Sequence, residues 1–202
     1  MPNFSAEFWH LALVWHLAFG IFVPPFITFA ANFSYRFVDR AGWGADEAVR
    51  FTNETAPDGS VQRVESWPRE YRPISKIILH ATAGEVPSGT GTNYATLIGN
   101  VARYHAKTLV WSDVGYNELV DPDGIVYEGR AGGSGVIAGH THYSYKDTQT
   151  GVHVNYNLNS SSLGVALLGS FANAAPPPSM LDGLAQFLAD RERPEEKHIE
   201  RI

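Results

Sequence analysis

The sequence predicts an α/β protein with one main domain, because apolar stretches typical of strands alternate with stretches of helical periodicity. "SKIILHATAG" (residues 75–84) contains three consecutive apolar residues, and "SLGVALLGSF" (residues 162–171) is almost continuously apolar. Both are predicted to be buried strands. "NYATLIGNVARYHAKT" (residues 93–108) carries apolar residues near helical spacing, with Asn93 as its predicted N-cap. A chain of 202 residues suits one domain with an appendage.

The remaining elements follow from turn residues and periodicity. "RAGWGADE" (residues 40–47) predicts a glycine-punctuated turn that leads into a short helix. Residues 52–72 are polar and contain Pro57, Gly59 and Pro68, so they are predicted to form a loop. "YNELVDPDGIVYEGR" (residues 116–130) predicts two strands joined by a turn at its Asp-Gly pair.

The C-terminal third of the chain contains an apparent insertion and an amphipathic helix. "YSYKDTQTGVHVNYNLN" (residues 143–159) is polar and is predicted to be an inserted loop. "PPPSMLDGLAQFLADRE" (residues 176–192) predicts a helix capped by Ser179. Its apolar face is predicted to comprise Leu181, Leu184, Phe187 and Leu188.

Charge and composition exclude several function classes. The net charge is −6 and no Lys/Arg-rich run is present, whereas a nucleic-acid partner requires a basic surface. The chain has no cysteine, which excludes disulfides and thiolate metal sites. Any metal is therefore expected to be held by nitrogen and oxygen ligands.

The first 31 residues differ from the rest of the chain. Residues 8–31 carry no Lys, Arg, Asp or Glu, and their length matches a bilayer span. We expect them to export the domain or tether it to a membrane; a buried helix and a mis-assigned start are the alternatives. The predicted organisation is this segment (1–31), a lead-in with a loop (32–73), the main domain (74–191) and a charged tail (192–202).

Several side chains are candidates for chemistry, each with an ordinary structural alternative. His80 ends a predicted strand beside small residues, at a position where α/β sheets form sites, although a core histidine is equally compatible. Tyr116 follows Gly115 at a strand start and either packs in the core or positions a reacting oxygen. His140 and His142 are two apart and could share a strand face as a metal pair, or be ordinary loop histidines.

Six stretches in order resemble one family: "RAGWGADE", "KIILHATA", "RYHA", "WSDVGYNELVDPDGIVYEGRAGG", "GHTH" and "SLGVALLGSF". Together they resemble the type 2 N-acetylmuramoyl-L-alanine amidases and the peptidoglycan recognition proteins, from about residue 40 to about residue 190. The resemblance implies a mixed central β-sheet flanked by helices, with a groove for the peptide stem and sugar of peptidoglycan. It also implies one zinc ion in active members, which cut the amide between N-acetylmuramic acid and L-alanine, and an extracellular or cell-envelope location.

The resemblance also assigns roles to residues of this chain. His80 matches the first zinc ligand, and Tyr116 matches the catalytic tyrosine beside the zinc-bound water. The positions of His105, Asn117, Arg130 and His140 resemble those that line the groove and bind substrate. His153, in "GVH", is a rival to His140 for the groove position.

The chain departs from the family pattern after its last helix. Active members take two further zinc ligands there, from a Gly-His-Arg-Asp element and a Cys-Pro-Gly element. This chain ends in "ADRERPEEKHIERI", and His198 is its only histidine in that region. The sequence leaves three explanations open: a C-terminally incomplete amidase, a non-catalytic peptidoglycan-binding module, or a zinc site rebuilt from His80 with His140, His142 or His153.

Overall fold

The computed structural model describes residues 34–86 and 92–191, and its centre is a five-stranded mixed sheet. The strands lie in the order β1, β6, β5, β9, β4, and only the β5–β6 pair is antiparallel. Their bounds are β1 Phe37–Val38, β4 Lys76–Ala81, β5 Glu118–Val120, β6 Val126–Glu128 and β9 Ser162–Leu167. Two separate antiparallel hairpins complete the strands: β2 Phe51–Thr55 with β3 Val61–Glu65, and β7 His142–Lys146 with β8 His153–Asn157. The predicted α/β class and mixed sheet are confirmed.

Strand β9 is the structural centre, as its apolar sequence predicts. All six of its residues are buried, because its alternate side chains pack into hydrophobic clusters on opposite faces of the sheet. The predicted β5–β6 hairpin is also confirmed, with Leu119 opposite Tyr127.

Strand β4 differs from its prediction in burial. It pairs with β9 only and lies at the edge of the sheet, so Ile77 and Leu79 are 37% and 51% exposed. The strand is therefore present as predicted, but the prediction that it is buried is wrong. Ile78 and His80 alternate with these residues and are half-buried on the other face.

Two helices flank the sheet, one on each face. Helix α1 covers Tyr94–Arg103 and is continued by a π-helical turn, Tyr104–Thr108. The Asn93 side chain accepts a hydrogen bond from the Thr96 N–H at 3.2 Å, which confirms the predicted N-cap. Short 3₁₀ turns cover Glu47–Arg50, capped by Asp46, and Asn159–Ser161.

Helix α2 covers Pro178–Arg191 and packs against the other face of the sheet. Its approach is close, since a Cβ at Gly183 would overlap the Gly124 backbone in the β5–β6 turn. The predicted Ser179 cap is wrong: the helix already includes Pro178, and the Ser179 hydroxyl donates to the Pro122 carbonyl of that turn. The helix buries Met180, Gly183, Leu184 and Phe187, whereas Leu181 is 43% exposed.

Both predicted loops contain hairpins. Residues 52–72 include most of the β2–β3 hairpin, in which Gly59 adopts a positive φ and Asp58 accepts from the Ser60 N–H. The insertion after His142 folds as the β7–β8 hairpin. Strands β2 and β3 are largely polar and exposed, so they lack the apolar residues that mark a half-buried strand. Strands β7 and β8 do alternate polar residues with tyrosine and valine, and this strand pattern was outweighed by the polar composition of the stretch.

The terminal predictions fall on parts of the chain that the structure does not describe. Residues 1–31 and the tail 192–202 lie outside the described residues. Within 34–86 and 92–191, no helix combines the length and the apolar character that a membrane crossing requires.

Candidate functional site

The candidate site forms where the end of β4 meets the loop before β7. The Nε2 atom of His80 lies 2.9 Å from Nδ1 of His140, although the two residues are 60 positions apart in sequence. His153 pairs with Lys146 near the tip of the β7–β8 hairpin. His140, and not His153, is therefore the histidine that joins His80.

The hydrogen bonds around this pair define its tautomers. The Ser162 hydroxyl donates to the Leu158 carbonyl at 2.7 Å, so its oxygen accepts from His140 Nε2–H at 3.3 Å. The Nδ1 atom of His140 is then the acceptor, and His80 donates its Nε2–H.

Burial keeps both imidazoles neutral at pH 7. Burial and, to a smaller extent, the neighbouring His80 together lower the pKa of His140 to about 4. Burial also lowers the pKa of His80. Neutral rings retain the lone pairs that hydrogen bonds or a metal require.

Gly164 makes room for the histidine pair. It lies in the middle of β9, directly beneath the His140 ring, and a Cβ there would sit well inside van der Waals contact with that ring. Its N–H donates to the Asn117 side-chain oxygen at 2.9 Å. Glycine is therefore required at this position by close approach rather than by backbone conformation.

Tyr116 and His105 extend the cluster of rings beyond the histidine pair. The Tyr116 ring centroid lies 5.3 Å from that of His80 and 5.3 Å from that of His105. The Gly115 N–H donates to His105 Nδ1 at 2.9 Å, which places the proton of His105 on Nε2. Burial lowers the pKa of His105 to about 4, partly opposed by Asp113, and burial raises the pKa of Tyr116.

Two tryptophans that the sequence analysis did not select form walls of the groove. Trp67 and Trp111 line an open cavity of about 480 Å³. The other lining residues are Glu70, Ile137, Gly139, His140, His142, Asn157, Asn159 and Ser160. Trp67 lies in the stretch predicted to be a loop. A large aromatic residue among polar neighbours was the one sequence signal that could have indicated a binding surface there.

Backbone strain flanks Trp111. Val110 and Ser112 both adopt left-handed conformations, with φ of 58° and 65°. Such conformations cost of order 1–3 kcal/mol each for residues other than glycine and persist where surrounding contacts impose them. Here the Trp111 N–H donates to the His105 carbonyl at 2.9 Å, and its ring lies 4.9 Å from the His105 ring.

Asn117 and Arg130 lie behind the groove rather than on its surface. Asn117 is fully buried, and its amide nitrogen donates to the Val136 carbonyl at 2.8 Å. Arg130 is 3% exposed, and its guanidinium lies 3.9 Å from the centroid of the Trp67 ring. The structure therefore gives both residues supporting positions, in contrast to the predicted groove-lining ones.

A buried ionic network fixes the loops beside Arg130. The Asp113 carboxylate accepts from Arg40 Nη1 at 3.1 Å, from the Val114 N–H at 2.7 Å and from the Ala131 N–H at 2.9 Å. Arg40 also pairs with Glu47 at 2.7 Å. These contacts join the "RAGWGADE" and "WSDVGYN" stretches, which sequence spacing alone did not bring together.

The described residues do not complete a zinc site. A catalytic zinc requires three protein ligands, and residues 34–86 and 92–191 contain no group of three His, Cys, Asp or Glu side chains placed to bind one ion. His80 and His140 could supply two nitrogens. Two nitrogens bound to one tetrahedral zinc lie roughly 3.3 Å apart, so this pair would need to open by a few tenths of an ångström. His198 lies outside the described residues.

Comparisons with known proteins agree with the fold and the motif order. The family model for N-acetylmuramoyl-L-alanine amidase matches residues 70–198, which is more than half of the chain. Peptidoglycan-recognition protein SC2 of Drosophila melanogaster is 36% identical over 117 residues, covering 58% of this chain and 54% of the relative. Peptidoglycan recognition protein 1 of Bos taurus is 30% identical over 121 residues, covering 60% and 55%. The chain thus spans about half the length of these curated relatives.

Solved structures give the same result. The Drosophila peptidoglycan recognition protein SA superposes with a TM-score of 0.55 at 26% identity, covering 78% of this chain and 72% of that one. A structure of peptidoglycan recognition protein LE in complex with tracheal cytotoxin, a monomeric diaminopimelic acid-type peptidoglycan, superposes with a TM-score of 0.55 at 23% identity and covers 76% and 72%. The chain belongs to the family of the type 2 N-acetylmuramoyl-L-alanine amidases and peptidoglycan recognition proteins.

Proposed function

We propose that the groove binds the muramyl peptide of peptidoglycan. The observation that carries this proposal is the cavity of about 480 Å³ with its two tryptophan walls and its floor at His140. This volume lies in the range of about 300–1,000 Å³ that is usual for small-ligand sites. The bound tracheal cytotoxin in the structure of the LE protein supports the same ligand class for this chain.

The chemistry of the lining suits a glycopeptide. Trp67 and Trp111 present flat apolar surfaces against which the C–H faces of a sugar or a lactyl group can pack. The exposed Asn157 and Ser160 add an amide and a hydroxyl to the cavity lining, which can pair with sugar hydroxyls and peptide groups. The neutral imidazoles below them can donate and accept hydrogen bonds without attracting a particular charge.

A Trp67→Ala variant tests the proposal. Trp67 is half-buried in the groove wall, and removing a partly buried tryptophan at a binding surface typically costs more than about 1 kcal/mol of binding free energy. We expect Trp67→Ala to bind a soluble muramyl peptide at least about fivefold more weakly than the unmodified chain in calorimetric titrations. Tyr145→Ala, which removes an exposed aromatic ring outside the groove, is the control and should keep its affinity. Equal affinities for both variants and the unmodified chain would refute the proposal.

Zinc-dependent hydrolysis of the bond between N-acetylmuramic acid and L-alanine is the second candidate function. The specific observation in its favour is the convergence of His80 and His140 nitrogens with the Tyr116 ring 5.3 Å from His80. These are the positions that the family resemblance assigns to a zinc ligand and a catalytic tyrosine. Since the described residues supply at most two ligands, hydrolysis depends on a further ligand from outside them.

Elemental analysis of the full chain separates the two candidates. If the chain hydrolyses muramyl peptide, elemental analysis should find close to one zinc per chain, and His80→Ala should lose that zinc. A cleavage assay should then detect L-alanyl peptide released from muramyl peptide. Tyr116→Phe should then retain zinc and binding while losing most of the cleavage. Absence of zinc together with intact ligand binding would leave the recognition function alone.

A further inference from the structure

We infer that one face of the β7–β8 hairpin extends the groove and binds the carboxylates of the peptide stem. This inference rests on the proposed muramyl-peptide binding. The hairpin occupies the polar stretch that the sequence predicts to be an insertion, within the residues that the family model matches.

The register of the hairpin separates its side chains into two chemically different faces. Residues directly opposite each other, and alternate residues along one strand, share a face. The polar face carries His142, Ser144, Lys146, His153, Asn155 and Asn157, whereas the tyrosine face carries Tyr143, Tyr145, Val154 and Tyr156. Apart from the half-buried Val154, all of these residues are exposed.

The polar face is continuous with the groove. His142 and Asn157 are opposite each other at the base of the hairpin, and both line the cavity. Ser144 and Asn155 are the next pair on the same face, and Lys146 with His153 is the pair after that. From His142 to Lys146 the strand rises by about 13 Å, or roughly four residues of an extended peptide. The wall therefore continues to a distance that a stem of about five residues can reach.

The far end of this wall presents nitrogen donors. Lys146 lies directly opposite His153 across the two strands, so both side chains belong to the polar face. The nearest acidic residue in sequence is Asp147, whose carboxylate accepts from the N–H groups of Gln149 and Thr150 and from the Thr150 hydroxyl. Among the described residues no ion pair to Lys146 is found. An exposed ammonium group at this position complements the carboxylates of a stem peptide, in a chain whose net charge is −6.

Calorimetry with two synthetic muramyl peptides tests the inference on the full chain. Both carry a five-residue stem; one has free carboxylates and the other has every carboxylate amidated. Lys146→Gln should weaken binding of the carboxylate peptide about fivefold, the scale of an exposed ion pair, and leave the amidated peptide within twofold. Added salt should reduce the difference between the two peptides.

Two control variants separate a local effect from a general one. Tyr145→Gln changes the adjacent residue on the tyrosine face, and Lys107→Gln removes the same charge from an exposed site in the π-helical turn. Both should bind the two peptides as the unmodified chain does. Unchanged binding of the carboxylate peptide by Lys146→Gln, or an equal loss for both peptides, would overturn the inference alone. Failure of the unmodified chain to bind either peptide would overturn the proposed function and this inference with it.

Discussion

The sharpest test of the site geometry is the substitution Gly164→Ala. Gly164 lies under the His140 ring, and the added methyl group would overlap ring atoms. The ring must therefore move by roughly 1 Å to restore ordinary van der Waals separation. His140 Nδ1 lies 2.9 Å from His80 Nε2, so a displacement of this size breaks their hydrogen bond.

The expected cost follows from two contributions. Overpacking a well-packed position costs about 1–3 kcal/mol, and the lost hydrogen bond adds about 1 kcal/mol. Replacing glycine stiffens the unfolded chain and returns about 0.4–1 kcal/mol. We therefore expect Gly164→Ala to lower the free energy of unfolding by about 2 kcal/mol. A His140 ring displaced toward water should also have a pKa above its value of about 4, because burial is the main cause of its low pKa.

Gly99→Ala is the matched control. Gly99 lies inside helix α1, and a Cβ there meets nothing within 4 Å, so this substitution should raise stability by about 1 kcal/mol. Urea denaturation measures both free energies, and NMR titration of the histidine Cε1 protons measures the pKa of His140. If Gly164→Ala unfolds at the same urea concentration as the unmodified chain and His140 still titrates near pH 4, the described packing is wrong.

Three further predictions concern stability. His105 has a pKa of about 4 in the folded chain and about 6.5 in the unfolded chain, so the unfolded chain binds more protons and stability falls by about 1.5 kcal/mol through His105 alone as the pH drops from 6.5 to 5. Urea denaturation at both pH values should show this loss in the unmodified chain and a correspondingly smaller loss in His105→Gln. Burial raises the pKa of Glu118 to about 8, so the fold loses stability as the pH rises above about 4.5. Glu118→Gln should raise the free energy of unfolding by up to about 3 kcal/mol at pH 7 and remove this pH dependence of stability; an unchanged pH dependence would contradict the burial of Glu118. Val110 adopts a left-handed conformation and is 77% exposed, so Val110→Asn should raise the free energy of unfolding by about 1 kcal/mol and raise the melting temperature with it. A lower melting temperature would show that the valine is not strained.

The elements predicted correctly are those with a strong local signal. Strand β9 is continuously apolar, the β5–β6 turn contains an Asp-Gly pair, and α1 combines a capping Asn93 with helical spacing. The β7–β8 hairpin was missed although its residues alternate between polar and aromatic or apolar, because the polar composition of the stretch favoured a loop. The β2–β3 hairpin was missed because its strands are mostly polar and exposed. For such strands the information lies in cross-strand pairing, which a single segment does not reveal.

Only those site residues could be predicted whose immediate sequence neighbours mark them as unusual. His80 stands out because an imidazole ends an apolar strand, and Tyr116 because it follows Gly115 at a strand start. That His140 joins His80 depends on the pairing of β4 with β9 and on the absence of a side chain at Gly164. These conditions involve three distant segments, so neither periodicity nor spacing could determine them.

The positions of Asn117 and Arg130 indicate how the shared motif stabilises the groove. Tyr116 precedes Asn117 by one residue, and its ring packs 5.3 Å from that of His80, whereas the Asn117 side chain points away because successive side chains near a strand point in opposite directions. Asn117 instead fixes the loop that contains Val136 and the β9 backbone at Gly164.

Arg130 acts in the same way on the groove wall. Its guanidinium stacks on Trp67, whose ring in turn lies over Gly139, next to His140. A stacked, buried guanidinium loses this contact with most replacements, including lysine, whose ammonium lacks a planar face. Arg130 therefore supports a tryptophan of the groove wall and does not itself line the cavity. A motif residue can thus support a groove without facing it, and a match of motifs alone does not distinguish the two positions for Arg130 and Asn117.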